Sequence, residues 1–433
     1  MRRQLTALIC AVSFTSSVAS AFTNPPYPRL AALWIGDQNY QDSTVQQQLA
    51  RGSISVIGVS PGWGTGTGTT LQKVIQNIKA INPNTLVFQY IDDIEINSDR
   101  NANAALASVY TKLDSMNWYL YANGGSGTIV PSSFPQNYAI NNTLFVPPDS
   151  NGDIWTTWYA KWAVQQFYVP NPALDGFYLD ETYWEPRVNG DYNRDGTTDI
   201  DTNPTTATWW RQGLRDHFDT MHQQMPGKFQ VGNVADWGNS DAIFPELNQQ
   251  LNGGLMEGMI GDSWSYETWG GWTTMMQAYR KVMAAMAPPQ LVMFAQLGSA
   301  TDYQGFRYGL ASCLMDNGYF IYNGSPSYDD APAFDEYNAK LGNATTSPQM
   351  TPWQKGVYRR DFDNGIALVN PKGNGAQTVQ LETSFIHLTG TQAPSVNNGQ
   401  TVTSVTLQDR DGIILMRTTA VIKPNPPGNL TVR

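Results

Sequence analysis

Cysteine and histidine are almost missing from this chain, with 2 and 3 residues among 433. Cys10 falls in a leader-like segment, which leaves Cys313 as the single thiol of the mature chain. No internal disulfide can then form, and stability has to come from core burial or a bound ion. His217 and His222 share one helical pattern and His387 lies near the C-terminus. None closes a predicted strand, so a His-rich zinc site, a metal-dependent hydrolase or deacetylase, and a His-dependent nucleophile all lack their residues. Positive charge is also short, at 26 Lys and Arg against 36 Asp and Glu for a net −10, which argues against nucleic acid as partner. Charged residues reach only 14% beside 41% hydrophobic and 12% aromatic, a balance that excludes a disordered or fibrous chain. Beyond the N-terminus no apolar run is long enough to span a membrane.

The first residues read as a secretory signal. Arg2 and Arg3 are its basic part, Leu5 to Val12 its apolar part, and Ala19-Ser20-Ala21 its cleavage site. Cleavage after Ala21 and a secreted or periplasmic, monomeric protein are expected. A lipid-modified Cys10 is disfavoured because Ile9 before it does not suit a lipobox.

Eight short apolar segments follow: Ala31–Asp37, Ile54–Ser60, Leu86–Asp92, Gly176–Asp180, Phe229–Asn233, Gly254–Met259, Leu291–Gln296 and Tyr319–Asn323. Near-continuous apolar runs of this length suit strands covered on both faces. Helical patterns such as Leu71–Ile81, Thr206–Gln224, Met275–Met286 and Phe306–Met315 lie between them. The alternation predicts an α/β protein with a parallel (β/α)8 TIM barrel over residues 28–345. An open doubly wound sheet is the alternative, but no strand leads into a GxGxxG turn. The third and fourth strands are separated by a long segment, about 95–175, with an aromatic stretch carrying Trp155, Trp158 and Trp162. Residues 350–433 read as short strands between Asp-Asn-Gly and Asp-Arg-Asp-Gly turns, a small all-β sandwich, ending in the Pro-rich run 424–427.

In such a barrel the useful side chains lie at the carboxyl ends of the strands. Those ends offer Asp37, Asp92 with Asp93, Asp180 with Glu181, Asn233 with Asp236, Glu257, Gln296 and Asn323. Gly58-Val59-Ser60-Pro61-Gly62 matches GxSxG by letters, yet Pro61 removes the backbone N–H that such an elbow needs. The Gly/Thr-rich segment after it lacks the ending of a phosphate-binding loop and reads as a turn. Carboxylates at strand ends suit glycoside hydrolysis, in which one carboxyl protonates the leaving oxygen and another attacks or activates water. Asp180 and Glu257 are the expected pair, each delivered by an apolar run to the barrel mouth. Glu181 is adjacent to Asp180, so on a strand the two would point to opposite faces and only one would face the centre; Asp180 is expected there, with Glu181 as the fallback and otherwise a substrate-binding residue. Trp34, Trp184, Trp237, Trp264, Trp269 and Trp272 are candidate sugar platforms. Asp37, Asp92, Asn233, Asp236 and Gln296 are candidate hydroxyl ligands.

The segments Gly176–Asp180, Gly254–Gly258, Phe334–Gly342, Gly356–Asn370 and Ser404–Leu415 together resemble a group of secreted glycoside hydrolases known as hypothetical glycosyl hydrolase family 15. The group is distantly similar to the α-galactosidase clan and the polygalactosaminidases. The resemblance covers nearly all of the mature chain and implies a glycosidase acting on an oligosaccharide or polysaccharide. Carried over by position, it implies Asp180 as nucleophile and Glu257 as acid/base in a retaining mechanism. The alternative is a carbohydrate-binding protein that has lost catalysis on the same scaffold.

One constellation lies outside the barrel mouth. Asp191, Asn193 and Asp195 stand at the first, third and fifth positions of an EF-hand-like loop, with Gly196 at the sixth, the Thr197 carbonyl at the seventh and Asp199 at the ninth. Thr202 replaces the usual Glu at the twelfth. A structural calcium ion is expected there, and no organic cofactor.

Overall fold

The computed structural model describes residues 22–64, 70–134, 136–240, 243–261 and 264–418. The expected signal peptide, much of the Gly/Thr-rich turn and the Pro-rich tail lie outside the described residues.

Alternate residues of eight parallel strands converge on one apolar interior. The strands are β1 (Ala31–Trp34), β2 (Ile54–Ile57), β3 (Leu86–Ile91), β6 (Gly176–Leu179), β7 (Phe229–Asn233), β8 (Gly253–Ile260), β9 (Leu291–Leu297) and β10 (Tyr319–Asn323), and they pair in that order. A parallel bridge from Leu30 to Phe320 brings β10 back to the start of β1. Leu33, Ile54, Val56, Leu86, Phe88, Tyr178, Val231, Leu255, Leu291, Met293 and Tyr319 fill the interior. Their i, i+2 spacing is the pleat of the strands. The intervening residues, such as Trp34, Val87, Phe177 and Phe294, face the surrounding helix layer.

That layer contains α1 (Ser43–Arg51), α2 (Leu71–Ile81), α3 (Ala107–Met116), α4 (Trp155–Ala163), α5 (Pro204–Gln224), α6 (Tyr266–Ala285) and α7 (Tyr303–Leu314). Asp42, Thr70, Asn203 and Asp302 cap four of these helices by accepting N–H groups of the first turn. The long connection from β3 to β6 folds into the hairpin β4 (Glu95–Asn97) and β5 (Asn137–Ala139), followed by α4. On α4, Trp155 stacks on Tyr159 with ring centroids 4.8 Å apart and Trp158 stacks on Trp162 at 6.4 Å, so most of this aromatic stretch is packing.

The C-terminal unit is β11 (Tyr358–Asp361), β12 (Gly365–Asn370), β13 (Gln377–His387), β14 (Thr401–Leu407) and β15 (Asp411–Arg417), joined antiparallel in the order β11-β12-β15-β13-β14. Leu368, Val379, Phe385, Leu407 and Leu415 form its own core, while Ala367, Val369 and Ile414 join the layer outside the barrel. A buried pair, Arg307 of α7 and Asp411 of β15, meets at 2.9 Å across that junction.

Candidate active site

Strand β6 ends at Leu179, and Asp180 follows at the carboxyl end of the barrel. Two strands further round the sheet, β8 carries Glu257. Its pairing with β9 shifts register between Met256 and Ile260, and Gly258 takes φ +67°, a left-handed conformation that glycine adopts at little cost. The Trp264 ring lies against Gly258 where a Cβ would otherwise sit. Asp180 and Glu257 line one cavity of about 410 Å³ together with Tyr90, Tyr178, Glu181, Asn233 and Tyr328.

Each carboxylate is held by a tyrosine. Tyr90 donates its hydroxyl to Asp180 Oδ2 at 2.7 Å, and the Glu181 N–H donates to Oδ1 at 2.9 Å. Tyr328 donates to Glu257 Oε1, and Asn233 Nδ2 donates to Oε2 at 3.0 Å. Burial raises the Glu257 carboxyl above the ordinary glutamate range and the Asp180 charge adds to this, whereas the bonds from Tyr328 and Asn233 oppose it. The geometry thus sets two differently held carboxyl groups beside a space large enough for a sugar ring.

A second cavity of about 300 Å³ adjoins the first through Ile35, Tyr90, Glu95, Asn97 and Asn137. Its walls include Asp92, Trp155 and Tyr159.

The candidates read from the sequence divide. Asp180, Glu181, Asn233 and Glu257 come together in the larger cavity, and Asp92 reaches the smaller one. Glu181 corrects the expectation that only one of the two neighbouring acids faces the centre. The strand has ended before it, and φ +47° turns its side chain into the same cavity as Asp180. Trp264 is 46% exposed at the mouth, and Trp269 is exposed too. Seven candidates point elsewhere. Trp34 faces outward from β1 into the helix layer and donates Nε1–H to the Asp37 carbonyl, while Asp37 itself is exposed in the loop. Gln296 faces outward from β9 and donates to the Gly305 carbonyl of α7. Trp184 stacks on Phe244 at 5.3 Å. Asp236 accepts the Trp184 N–H at 3.3 Å and lies 3.7 Å from Arg187, with burial pushing its carboxyl up to about 7. Trp237 and Trp272 are buried, donating to the Thr182 carbonyl and to Ser312 Oγ.

Sequence reasoning missed Tyr90, Tyr328 and Glu95. Tyr90 continues the inward series Leu86, Phe88 and could have been found from strand register. Tyr328 sits at φ +52° in the loop after β10, whose carbonyl accepts N–H groups from Ile35 and Gly36, and no local pattern marks it.

The 191–199 loop closes through an antiparallel bridge between Gly190 and Asp199. Asp191 accepts N–H groups from Asp195 at 3.1 Å and Gly196 at 2.7 Å, Asn193 accepts from Asp195 at 3.0 Å, and Asp195 accepts from Thr197 at 2.8 Å. Asp199 accepts from Tyr192 and Asn193. Gly196 at φ +91° makes the turn. This wrapping of oxygen side chains around the backbone stabilises the turn by itself, and among the described residues the loop's three aspartates do not gather at metal-ligand spacing.

A family model described as hypothetical glycosyl hydrolase family 15 matches residues 79–366, more than half of the chain. No curated protein sequence matches. Among solved structures, Eubacterium rectale Amy13B is 9% identical with a TM-score of 0.53, covering 92% of this chain and 97% of that one. The glycoside hydrolase domain of PelA from Pseudomonas aeruginosa is 14% identical, covers 71% of this chain and 97% of that one, and has a TM-score of 0.41. An Anoxybacillus alpha-amylase is 9% identical, with coverage of 91% and 99% and a TM-score of 0.48. At these identities the likeness to Amy13B is one of fold.

Proposed function

The chain belongs to hypothetical glycosyl hydrolase family 15 and is a glycosidase, and from that membership we propose that it is a secreted, retaining enzyme acting on a polysaccharide or oligosaccharide. Asp180 is the nucleophile and Glu257 the acid/base. The observation that supports this reading is the convergence of both acids, from alternate barrel strands, on one cavity where each is oriented by a hydroxyl donor. Asp180 attacks the anomeric carbon as the glycosidic bond breaks, and Glu257 gives its proton to the departing oxygen. Water then attacks the same carbon, its proton returns to Glu257, and the bond to Asp180 breaks. Raised by burial, Glu257 keeps the proton it must donate to higher pH than an exposed glutamate would.

The test uses Asp180→Asn and Glu257→Gln beside the wild type on a glycan panel and on aryl glycosides with activated leaving groups. Asp180→Asn is expected to lose at least about a hundredfold in kcat on every substrate. Glu257→Gln should lose as much on glycans and far less on the activated substrates, which need no acid. Proton NMR of the first-formed product should show retention at the anomeric carbon. Full activity of both variants overturns the assignment of this pair, binding without turnover by the wild type leaves a carbohydrate-binding protein instead, and an inverted product removes Asp180 from the nucleophile's place.

For the 191–199 loop we propose structural calcium, supported by its donor set and the turn at Gly196. Chelation should lower the melting temperature in the wild type and lower it by clearly less in Asp195→Asn, which has lost this loop's ion.

A further inference from the structure

Three carboxyl groups from two distant stretches of chain meet beside the Asp180 cavity. Asp92 follows β3, Glu95 opens β4 and Glu181 follows Asp180, and one oxygen of each lies within 4.8 Å of the others. Asp92 Oδ1 accepts the N–H groups of Ile94 and Glu95, and Glu95 Oε1 accepts from Asn137. The remaining oxygens are less well served. Glu95 and Glu181 are only 7% and 5% exposed, and Glu95 Oε2 and Glu181 Oε1 have no donor. A buried carboxylate oxygen without a donor is costly, and two facing each other cannot satisfy one another without a proton or a cation. Arg187, whose charge reaches Glu181, is turned toward Asp236 at 3.7 Å and covers the Tyr183 ring. A hollow of about 20 Å³ bordered by Glu95 and Glu181 has room for one water. That water would supply hydrogen bonds but leave the negative charge in place.

We propose that Asp92, Glu95 and Glu181 form a binding site for a divalent cation of the calcium type, separate from the 191–199 loop. Oxygens at about 2.3–2.6 Å from a central ion span the separation found here, and hard carboxylate donors without nitrogen or sulfur select such an ion. Glu95 borders both large cavities, which give the ion a path of entry and room for the waters that complete its shell. Bound there, the cation ties the ends of β3 and β6 to the β4–β5 hairpin and fixes the wall beside Asp180. The inference stands apart from the catalytic assignment, because its readout is ion uptake and not turnover.

The experiment titrates chelator-treated protein with calcium chloride by calorimetry at pH 7. The starting protein is the Asp195→Asn/Asp199→Asn variant, which disables the other loop. One equivalent of calcium should still bind, and adding Glu95→Gln/Glu181→Gln should abolish it while the circular dichroism spectrum is unchanged. As a second measurement, terbium(III) chloride added to that same starting variant, with the 191–199 loop disabled, should luminesce on excitation of the nearby Tyr159 and Trp155. Asp92→Asn alone should weaken terbium binding by at least about tenfold, because it removes one of three anionic ligands. No calcium uptake by the starting variant, or uptake that survives the paired Gln substitutions, overturns the site. So does terbium binding indifferent to Asp92.

Discussion

At the scale of single residues, the two proposed catalytic acids differ less in sequence context than in what holds them. Asp180 takes hydrogen bonds from the Tyr90 hydroxyl and the Glu181 N–H, whereas Glu257 takes them from Tyr328 and Asn233. The Tyr328 bond favours the ionised form of Glu257, against the burial that favours the acid. Tyr328→Phe is therefore expected to raise the Glu257 pKa further and to move the alkaline limb of the kcat/KM profile toward higher pH. A limb that stays in place or moves toward acid would show that Glu257 is not the group titrating there. Asp180 and Glu257 were legible in the sequence because an apolar run leads into each. Tyr90 was legible only through register, and Glu181 was misread because the strand ended one residue before the rule about alternating faces was applied.

At the scale of elements, the short strands of the barrel depend on what packs outside them. Strand β15 and helix α7 meet through Arg307 and Asp411, a pair buried at 5% and 7% exposure. The Arg307 guanidinium also donates to the Gly412 carbonyl, and the Cβ-free surface of Gly412 lets the sheet approach Ala311 of the helix closely. Asp411→Ala leaves a buried guanidinium without its anion, and a loss of about 3–5 kcal/mol is expected in urea unfolding. A change below about 1 kcal/mol would mean that water reaches Arg307 and that the junction is less tight than its packing implies. The turn signals of the C-terminal segment were enough to predict its strands. Nothing local indicated that residues from β12 and β15 would be shared with the outer layer of the barrel.

At the scale of the whole molecule, the acid excess becomes a pH dependence. Burial raises Asp236 to about 7 and also raises Glu95, Glu257, Asp316, Glu336 and Asp411. Each such group holds its proton in the folded chain at pH values where the unfolded chain has lost it. Its stabilising contribution is present below the unfolded pKa and disappears as pH rises through the folded one. Carboxylates with lowered values, such as Glu382 at about 2 beside Arg359, work the other way and lose their contribution in acid. Stability measured in chelator should therefore peak near about pH 5 and fall toward pH 8. Asp236→Asn should make that fall shallower, and an equally steep fall in the variant would remove Asp236 from the account. The sequence alone determined the eight strands, the all-β tail and the acids that two apolar runs carry, because periodicity and turn residues are local properties of the chain. Only the tertiary structure decided which acids share a space. Asp92, Glu95 and Glu181 come from two distant stretches of chain, and the cost of burying their charges together depends on distances that no local pattern records.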